Sequence, residues 1–126
     1  MGGMKMPALL ARTTDELPGV TGIARIDKNT RRLLERVGPG DIAILDEVDL
    51  DRVTADALVA ANVVAVVNAS PSISGRYPNL GPEVLVASGI VLLDDVGTEV
   101  FKRVKDGAKV RVNDDRLMVG DRRLAK

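Results

Sequence analysis

Histidine, cysteine and tryptophan are all missing from this sequence of 126 residues, and its aromatic side chains amount to one Tyr and one Phe. Without cysteine, disulfides, thiolate metal sites and cysteine nucleophiles are excluded. Without histidine, the chain lacks the commonest general base and metal ligand, and it has no phosphohistidine carrier. Any catalysis would have to depend on Asp, Glu, Lys, Ser or Tyr, and we expect neither a metal site nor a cofactor.

A surplus of charge is also lacking, because 18 basic residues are balanced by 18 acidic ones. The chain therefore has no net field that would attract nucleic acid, and it has too few aromatic side chains to stack bases. No apolar run reaches the ~18 residues of a membrane-spanning helix. The opening residues Met1–Met6 lack the apolar core of a signal peptide, so we expect a cytoplasmic chain with no membrane segment of its own.

What remains is an aliphatic sequence, 45% hydrophobic, in which short β-branched runs alternate with helical patterns. Residues 1–19 show no such pattern, and we expect a flexible arm or an expression leader there. Residues 20–126 predict a single α/β domain of three layers, with a mostly parallel aliphatic sheet and a C-terminal hairpin. The predicted strands are 20–26, 41–46, 63–68, 90–94, 108–112 and 117–119. The predicted helices are 28–37, a second one that begins after Asp51 or Thr54 and runs through Ala61, 83–88, and 98–104, the last a short helix or a turn.

Local signals specify the ends and faces of these elements. Asp27 is the predicted N-cap of the first helix, and Asp51 or Thr54 that of the second. The run Val63–Val67 contains no polar residue, so both faces of this strand should be buried. The second helix is expected to turn four side chains inward, those of Val53, Ala57, Leu58 and Ala61.

The most informative segment is the long loop Ala69–Pro82, which follows a buried strand and leads into the start of a helix. In layered α/β domains, loops at the carboxyl ends of strands are where ligands and partners bind. Three interpretations remain open: a rigid connector, a partner-binding surface, or a phosphate or nucleotide site in which Arg76 supplies a bidentate donor. The candidate binding residues in the loop are Ser72, Ser74, Arg76, Tyr77 and Asn79.

Carboxylates follow the predicted apolar strands at Asp46-Glu47, Asp49, Asp51 and Asp94-Asp95. We expect Asp94 and Asp95 to lie near the long loop, because their strand should be next to Val63–Val67. Paired carboxylates can bind Mg²⁺ or perform acid–base chemistry, but acidic residues at strand ends are also common as solvated caps. A basic group is likewise either a solvated face or a patch for an acidic partner or a membrane, and it consists of Arg25, Lys28, Arg31 and Arg32.

A resemblance to a known family is carried most specifically by Val66–Ser70 and Ser74–Leu85. Further matching strings are Gly22–Arg25, Gly40–Ile42, Asp49–Arg52, Leu93–Asp95 and Val104–Arg111. From about Thr21 onward, the chain resembles the N-terminal part of the SteA-like cytokinetic-ring proteins, a cell-division family of actinobacteria. The resemblance implies a longer chain in which a thiamine-pyrophosphokinase-like domain and a C-terminal membrane segment follow. It also implies a SteB-like membrane partner, a role in activating septal cell-wall hydrolases, and a position at the inner face of the membrane at the septum.

The order of elements also resembles that of the swivelling phosphohistidine domains of phosphoenolpyruvate-utilising enzymes. Gly89-Ile90 and Lys105–Gly107 match the way in which those domains end. This resemblance implies a swivelling β/β/α fold. The phosphorylated histidine of that family would fall near Asn79-Leu80, and since the chain has no histidine, phosphoryl carriage by that route is excluded.

These observations predict a non-enzymatic scaffold or binding domain in cell division, an N-terminal fragment of a longer chain, whose contact surface is the long loop together with Asp94 and Asp95. A homo-oligomer remains open, as does the enzymatic status of the longer protein. The alternative is an accessory domain of a thiamine-pyrophosphokinase-like or phosphotransfer enzyme, in which Arg76 and a carboxylate contact a phosphorylated ligand. That enzyme would need a pocket that gathers these groups, whereas a scaffold predicts a shallow, exposed loop surface.

Overall fold

The structure is a computed structural model that describes residues 19–75, 80–119 and, for the backbone alone, 122–125. The arm expected over residues 1–19 therefore lies outside the described residues, apart from Gly19. The remaining described residues form a mixed α/β fold. In chain order the elements are β1 (Val20–Ile26), α1 (Thr30–Leu34), β2 (Asp41–Leu45), α2 (Arg52–Ala60), β3 (Ala65–Asn68), α3 (Gly81–Ala87), β4 (Val91–Leu93), α4 (Val100–Arg103), β5 (Lys109–Asn113), β6 (Arg116–Val119) and β7 (Arg122–Ala125).

All the described strands belong to one sheet, in the order β4-β3-β2-β1-β5-β6-β7. The strands from β1 to β4 pair in parallel, and β5 to β7 extend the sheet beyond β1 with antiparallel pairings. The expected C-terminal hairpin is present as β5 and β6, which turn at Asp114, where the backbone is left-handed at φ +56°. The sheet is mixed and not mostly parallel, because this hairpin and β7 contribute as many pairings as the parallel strands do.

Two apolar cores lie on the two faces of the sheet, and β2 contributes to both because its side chains alternate. One face packs against α1, α2 and α3, each of which supplies one fully buried leucine: Leu33, Leu58 and Leu85. The other face packs against α4 through Val100 and Val104. Among the described residues, no helix has the length and apolar character needed to cross a bilayer.

The predicted strand at 63–68 begins two residues later, as β3, and each of its four residues is buried. Val66 packs against the core that holds α2 and α3, whereas Ala65 and Val67 pack on the opposite face, so the expected burial on both faces is confirmed. The predicted strand at 90–94 is shorter, Val91–Leu93, and lies at the edge of the sheet, where Val91 and Leu92 are only half-buried.

Several helix caps, ends and faces differ from the sequence prediction. The N-cap of α1 is Asn29 and not Asp27, because the Asn29 carboxamide oxygen accepts from the Arg32 N–H at 3.0 Å while Asp27 accepts from the Asn29 N–H. Regular helix in α1 also ends at Leu34, three residues sooner than expected. In α2, Asp51 is the cap, since it accepts from the Thr54 N–H at 2.8 Å. Val53, expected to face inward, is 78% exposed, and the buried positions of α2 are Ala55 and Leu58.

Candidate functional site

The carboxyl ends of β2, β3 and β4 lie along one edge of the sheet, because these strands are parallel and adjacent. The loops that follow them, residues 46–51, 69–75 and 94–97, are the edge loops. They contain four of the predicted site residues, Ser72, Ser74, Asp94 and Asp95. The other three, Arg76, Tyr77 and Asn79, lie outside the described residues, so their predicted role stays a prediction.

Asn68, the last residue of β3, is the centre of the polar network in the edge loops. Its side chain is completely buried and makes four hydrogen bonds. The carboxamide oxygen accepts from the N–H groups of Glu47 and Ser70, at 3.0 and 3.2 Å. The amide nitrogen donates to the Glu47 carbonyl at 2.8 Å and to the Ser72 hydroxyl at 2.7 Å. A buried amide with every donor and acceptor satisfied holds two loops in one register.

Ser72 connects this network to Asp94. The Ser72 side chain is 1% exposed, and its hydroxyl donates to the Asp94 carboxylate at 2.6 Å. The Ser72 N–H donates to the two oxygens of the same carboxylate, at 3.0 and 3.2 Å. The structure therefore brings these two predicted residues together. The Ser72 donors and the Asp94 carboxylate, which a ligand would need, are hydrogen-bonded to each other.

Ser74 is held by Asp49, one of the candidate carboxylates that follow the predicted strand 41–46. Its N–H and hydroxyl donate to the two Asp49 carboxylate oxygens at 2.7 and 2.8 Å. The backbones of these loops also pair, since the N–H groups of Asp49 and Leu50 donate to the carbonyls of Pro71 and Ser72 at 3.1 and 3.0 Å. Asp49 itself is left-handed at φ +57°, a conformation that short polar side chains tolerate.

Asp95 lies in the turn after β4 and is exposed, as Asp94 is, but its backbone is left-handed at φ +53°. The turn bonds to the neighbouring loop through its backbone: Val96 and Gly97 donate N–H groups to the carbonyls of Asn68 and Ala69, at 3.1 and 3.0 Å. Asp94 and Asp95 thus serve different purposes, the first holding Ser72 and the second forming part of a turn. They do not form the paired carboxylate site that their sequence suggested.

The Asp46-Glu47 pair is divided in the same way. The Ser70 hydroxyl donates to Asp46, and the Thr30 hydroxyl donates to Glu47 at 2.6 Å. Within residues 19–75 and 80–119, no group of three or more acidic side chains is arranged to hold a metal ion. The carboxylates after the strands are therefore used mainly to fasten loops.

The first residue of α3, Gly81, packs closely against the edge loop 46–51. A Cβ atom at this position would collide with the carbonyl oxygen of Leu50 and would lie 2.8 Å from the carbonyl oxygen of Asp51. Only glycine permits so close an approach. The start of α3 is thereby held beside the N-cap of α2, and the two helices pack side by side.

A shallow depression occurs on the outer surface of α3, lined by Pro82, Glu83, Val86 and Ala87. It includes neither Asp94 nor Asp95, the carboxylates that the enzymatic alternative combines with Arg76, and Arg76 itself lies outside the described residues. The described edge loops are joined by the hydrogen bonds given above.

Three members of the basic group have intramolecular contacts. Arg25 lies 3.4 Å from Asp41, Arg32 lies 3.2 Å from Asp27, and the Lys28 ammonium lies 5.4 Å from the centre of the Phe101 ring. A hydrogen bond from the Asn29 N–H, opposed by partial desolvation and assisted by Arg32, holds the pKa of Asp27 below its usual range. Most of this basic group therefore contacts other side chains of the same chain.

Asp106, in the turn before β5, is a second paired carboxylate. It accepts from the Ile26 N–H and from Arg36, both at 2.9 Å, and Arg25 lies 3.8 Å away. Partial burial works to raise the pKa of Asp106, but these hydrogen bonds and the two guanidinium charges outweigh it and hold the pKa below its usual range. Asp106 therefore fastens this turn to the end of β1.

No protein-family model matches the sequence, and no curated protein matches it.

Proposed function

We propose that this chain is a non-enzymatic scaffold and binding domain of a SteA-like cell-division protein. The single observation that carries the proposal is that the polar side chains of the edge loops are hydrogen-bonded to one another. The hydroxyls of Ser72 and Ser74 and the carboxylates of Asp94 and Asp49 bind one another. Such a surface is rigid and suited to contact, because its polar groups stabilise its own shape.

Catalysis makes the opposite demand on such groups. A nucleophile or general base must reach its substrate, within about 2.6–3.2 Å of the proton that it removes. Ser72 is 1% exposed, and its hydroxyl already has a donor, Asn68, and an acceptor, Asp94. The phosphate-binding alternative is also disfavoured, since the Asp94 carboxylate occupies the Ser72 N–H that an anion would use and would repel the anion.

Sequence similarity supports the assignment to the SteA-like family, and it is carried by Gly22–Arg25, Val66–Ser70 and Ser74–Leu85. On this proposal the fold is of the swivelling β/β/α type without its histidine, and the domain is the N-terminal part of a longer protein. That protein acts at the inner face of the septal membrane with a SteB-like partner and a thiamine-pyrophosphokinase-like domain, and it promotes septal cell-wall hydrolysis.

The test is to delete residues 20–125 from the longer protein in its actinobacterial host and to follow two properties. Septal localisation is measured with a fluorescent fusion, and binding to the SteB-like partner by co-purification from solubilised membranes. We expect the deletion to abolish both, because the domain supplies contacts.

The matched control deletes the thiamine-pyrophosphokinase-like domain and keeps residues 20–125. If the protein without residues 20–125 localises and co-purifies like the wild type, this domain is not the binding module and the proposal is wrong.

A further inference from the structure

Large apolar side chains are exposed on one part of the described surface. Val53 is 78% exposed and Ile73 is 56% exposed, and the described residues of β1, β5 and β6 contribute no comparable side chain. The complete set is Val48, Val53, Ile73, Leu80 and Val86. Clustered exposed apolar residues on a small domain mark an interaction site more often than scattered ones do.

Hydrogen bonds and packing bring four of these side chains to the same end of the molecule. The backbone bonds from Asp49 to Pro71 and from Leu50 to Ser72 place the loop that carries Val48 beside the loop that carries Ile73. The close approach of Gly81 to Leu50 and Asp51 places Leu80 beside the start of α2, where Val53 lies in the first turn. We call Val48, Val53, Ile73 and Leu80, with the carboxylates around them, the docking surface.

The stretch of chain that carries this surface is predominantly acidic. Residues 44–96 contain eight acidic side chains and two basic ones, Arg52, which lies 3.7 Å from Asp56, and Arg76, which lies outside the described residues. Since the whole chain is electrically balanced, most of the compensating positive charge lies in the rest of the chain. The eight acidic residues are Asp46, Glu47, Asp49, Asp51, Asp56, Glu83, Asp94 and Asp95.

This combination decides among the possible occupants. Nucleic acid and anionic lipid headgroups carry negative charge and would be repelled. A second copy of the chain could offer basic side chains, but its described basic half exposes no large apolar side chain to cover Val48 and Ile73. The occupant must therefore carry lysine or arginine and apolar residues on one segment.

We propose that the docking surface binds a basic amphipathic segment of a partner protein. The apolar side of the segment covers Val48, Ile73 and Leu80, and its basic side chains approach carboxylates at the rim such as Glu83 and Asp95. Apolar contact at the centre with complementary charge at the rim is the usual arrangement of a specific interface. This inference rests on the proposed function, because it gives the binding domain the chemistry of its partner.

The test measures binding of synthetic peptides to the complete 126-residue chain by fluorescence anisotropy. The probe is a peptide of about 18 residues with one Leu face and one Lys face. A Leu/Glu peptide and a Lys/Ser peptide of the same length are the comparators. We expect the Leu/Lys peptide to bind about tenfold more tightly than either comparator, because only it satisfies both the apolar and the charged part of the surface.

Two variants with matched controls locate the site. Val48→Ser with Ile73→Ser should weaken binding of the Leu/Lys peptide about tenfold, whereas Val86→Ser, an equally exposed valine near the other end of α3, should leave it unchanged. Glu83→Gln with Asp95→Asn should weaken binding and reduce its salt dependence, whereas Asp114→Asn with Asp115→Asn in the hairpin turn should do neither.

Equal affinity for the Leu/Lys and Leu/Glu peptides, or equal weakening by the control variants, would overturn the proposal. Self-association of the chain that Val48→Ser with Ile73→Ser abolishes would assign the surface to a second copy instead, and would overturn it as well. If septal localisation depends on the domain while the Leu/Lys peptide fails to bind, the partner class is wrong and the proposed function stands.

Discussion

Asp94 and Asp95 are adjacent carboxylates with opposite roles, and they give a matched test of the edge loops. Asp94 accepts from both the N–H and the hydroxyl of Ser72, whereas Asp95 lies in a turn that is joined to the neighbouring loop by backbone bonds from Val96 and Gly97. We expect Asp94→Asn to lower the free energy of unfolding by about 1–3 kcal/mol, because a bond to a charged acceptor is lost. Asp95→Asn should change it by less than about 0.5 kcal/mol. Urea unfolding followed by circular dichroism measures both, and equal effects would contradict the different roles.

Asp106 predicts a dependence of stability on pH. Because its pKa is lowered in the folded chain, its contribution is present above the unfolded pKa of about 4 and is lost as the pH falls through the folded value, below 3.8. The free energy of unfolding of Asp106→Asn should therefore fall short of the wild-type value at pH 6 and approach it at pH 3.

Urea unfolding at the two pH values measures this difference. Asp115→Asn, in the exposed hairpin turn, is the control and should show little difference at either pH. A deficit of the same size at pH 6 and pH 3 for Asp106→Asn would show that its ion pairs do not hold the turn.

At the residue scale, the sequence could indicate which polar groups meet but not how they are used. The proximity of Asp94 to Ser72 follows from the expected adjacency of β3 and β4. Asn68 was missed, because an amide at the end of a strand looks like any strand terminus, and its four hydrogen bonds go to three residues in two separate loops. Asp49 was among the candidate carboxylates, but its bond to Ser74 was not predicted, because the two residues are distant in sequence.

At the scale of the element, β3 and α2 allow one substitution to be compared in two environments. Val66 is completely buried in β3, and Val53 is 78% exposed in the first turn of α2. We expect Val66→Asp to lower the free energy of unfolding by about 3–5 kcal/mol, because it buries an unpaired charge. Val53→Asp should be neutral within about 0.5 kcal/mol, since an acid is favourable near a helix N-terminus. Thermal or urea unfolding measures both variants. The reverse order of stabilities would show that the assigned burial of β3 and α2 is wrong.

The seam between α2 and α3 depends on one glycine. Gly81→Ala should cost about 1–3 kcal/mol, because the added carbon collides with the backbone of Leu50, which cannot move as a side chain could. Gly38→Ala is the matched control: a Cβ there meets nothing within 4 Å, and it should stabilise the chain by about 0.4–1 kcal/mol. The measurement is the urea midpoint of each variant, and a Gly81→Ala protein as stable as Gly38→Ala would contradict the close seam.

Prediction of the elements succeeded where burial alone decides and failed where local capping competes. The burial of β3 on both faces followed from its apolar run. The start of α1 did not, because Asp27 and Asn29 are both good caps and the choice depends on which N–H each can reach. Val53 was placed inward because it is apolar, but its position at the first turn of α2 leaves it outside the contact with the sheet.

At the scale of the molecule, the parallel half of the sheet was foreseeable from alternating strands and helices. The antiparallel half was harder, since the sequence shows a hairpin but not which strand it joins. Its first strand pairs with β1, which makes the sheet mixed. Long-range pairing of this kind leaves no local pattern in the sequence.

The whole chain should show no phosphotransferase activity. It has no histidine to carry a phosphoryl group, and the described serines of the edge loops are engaged with carboxylates. Incubation with ATP and thiamine, and separately with phosphoenolpyruvate, should give no turnover above a buffer control. Turnover that persists through repurification and scales with protein concentration would contradict this expectation.

The position of β1 between β2 and β5 sets an order of events during synthesis. Val20 pairs with Val112. One side of β1 therefore stays unpaired until nearly the whole domain has left the ribosome. The strands from β1 to β4 can associate before that point, while β1 presents unpaired backbone groups along its open side. Closure over so long a stretch of chain is slow, and in that interval the nascent domain has a second, temporary edge at which neighbouring chains can add a strand.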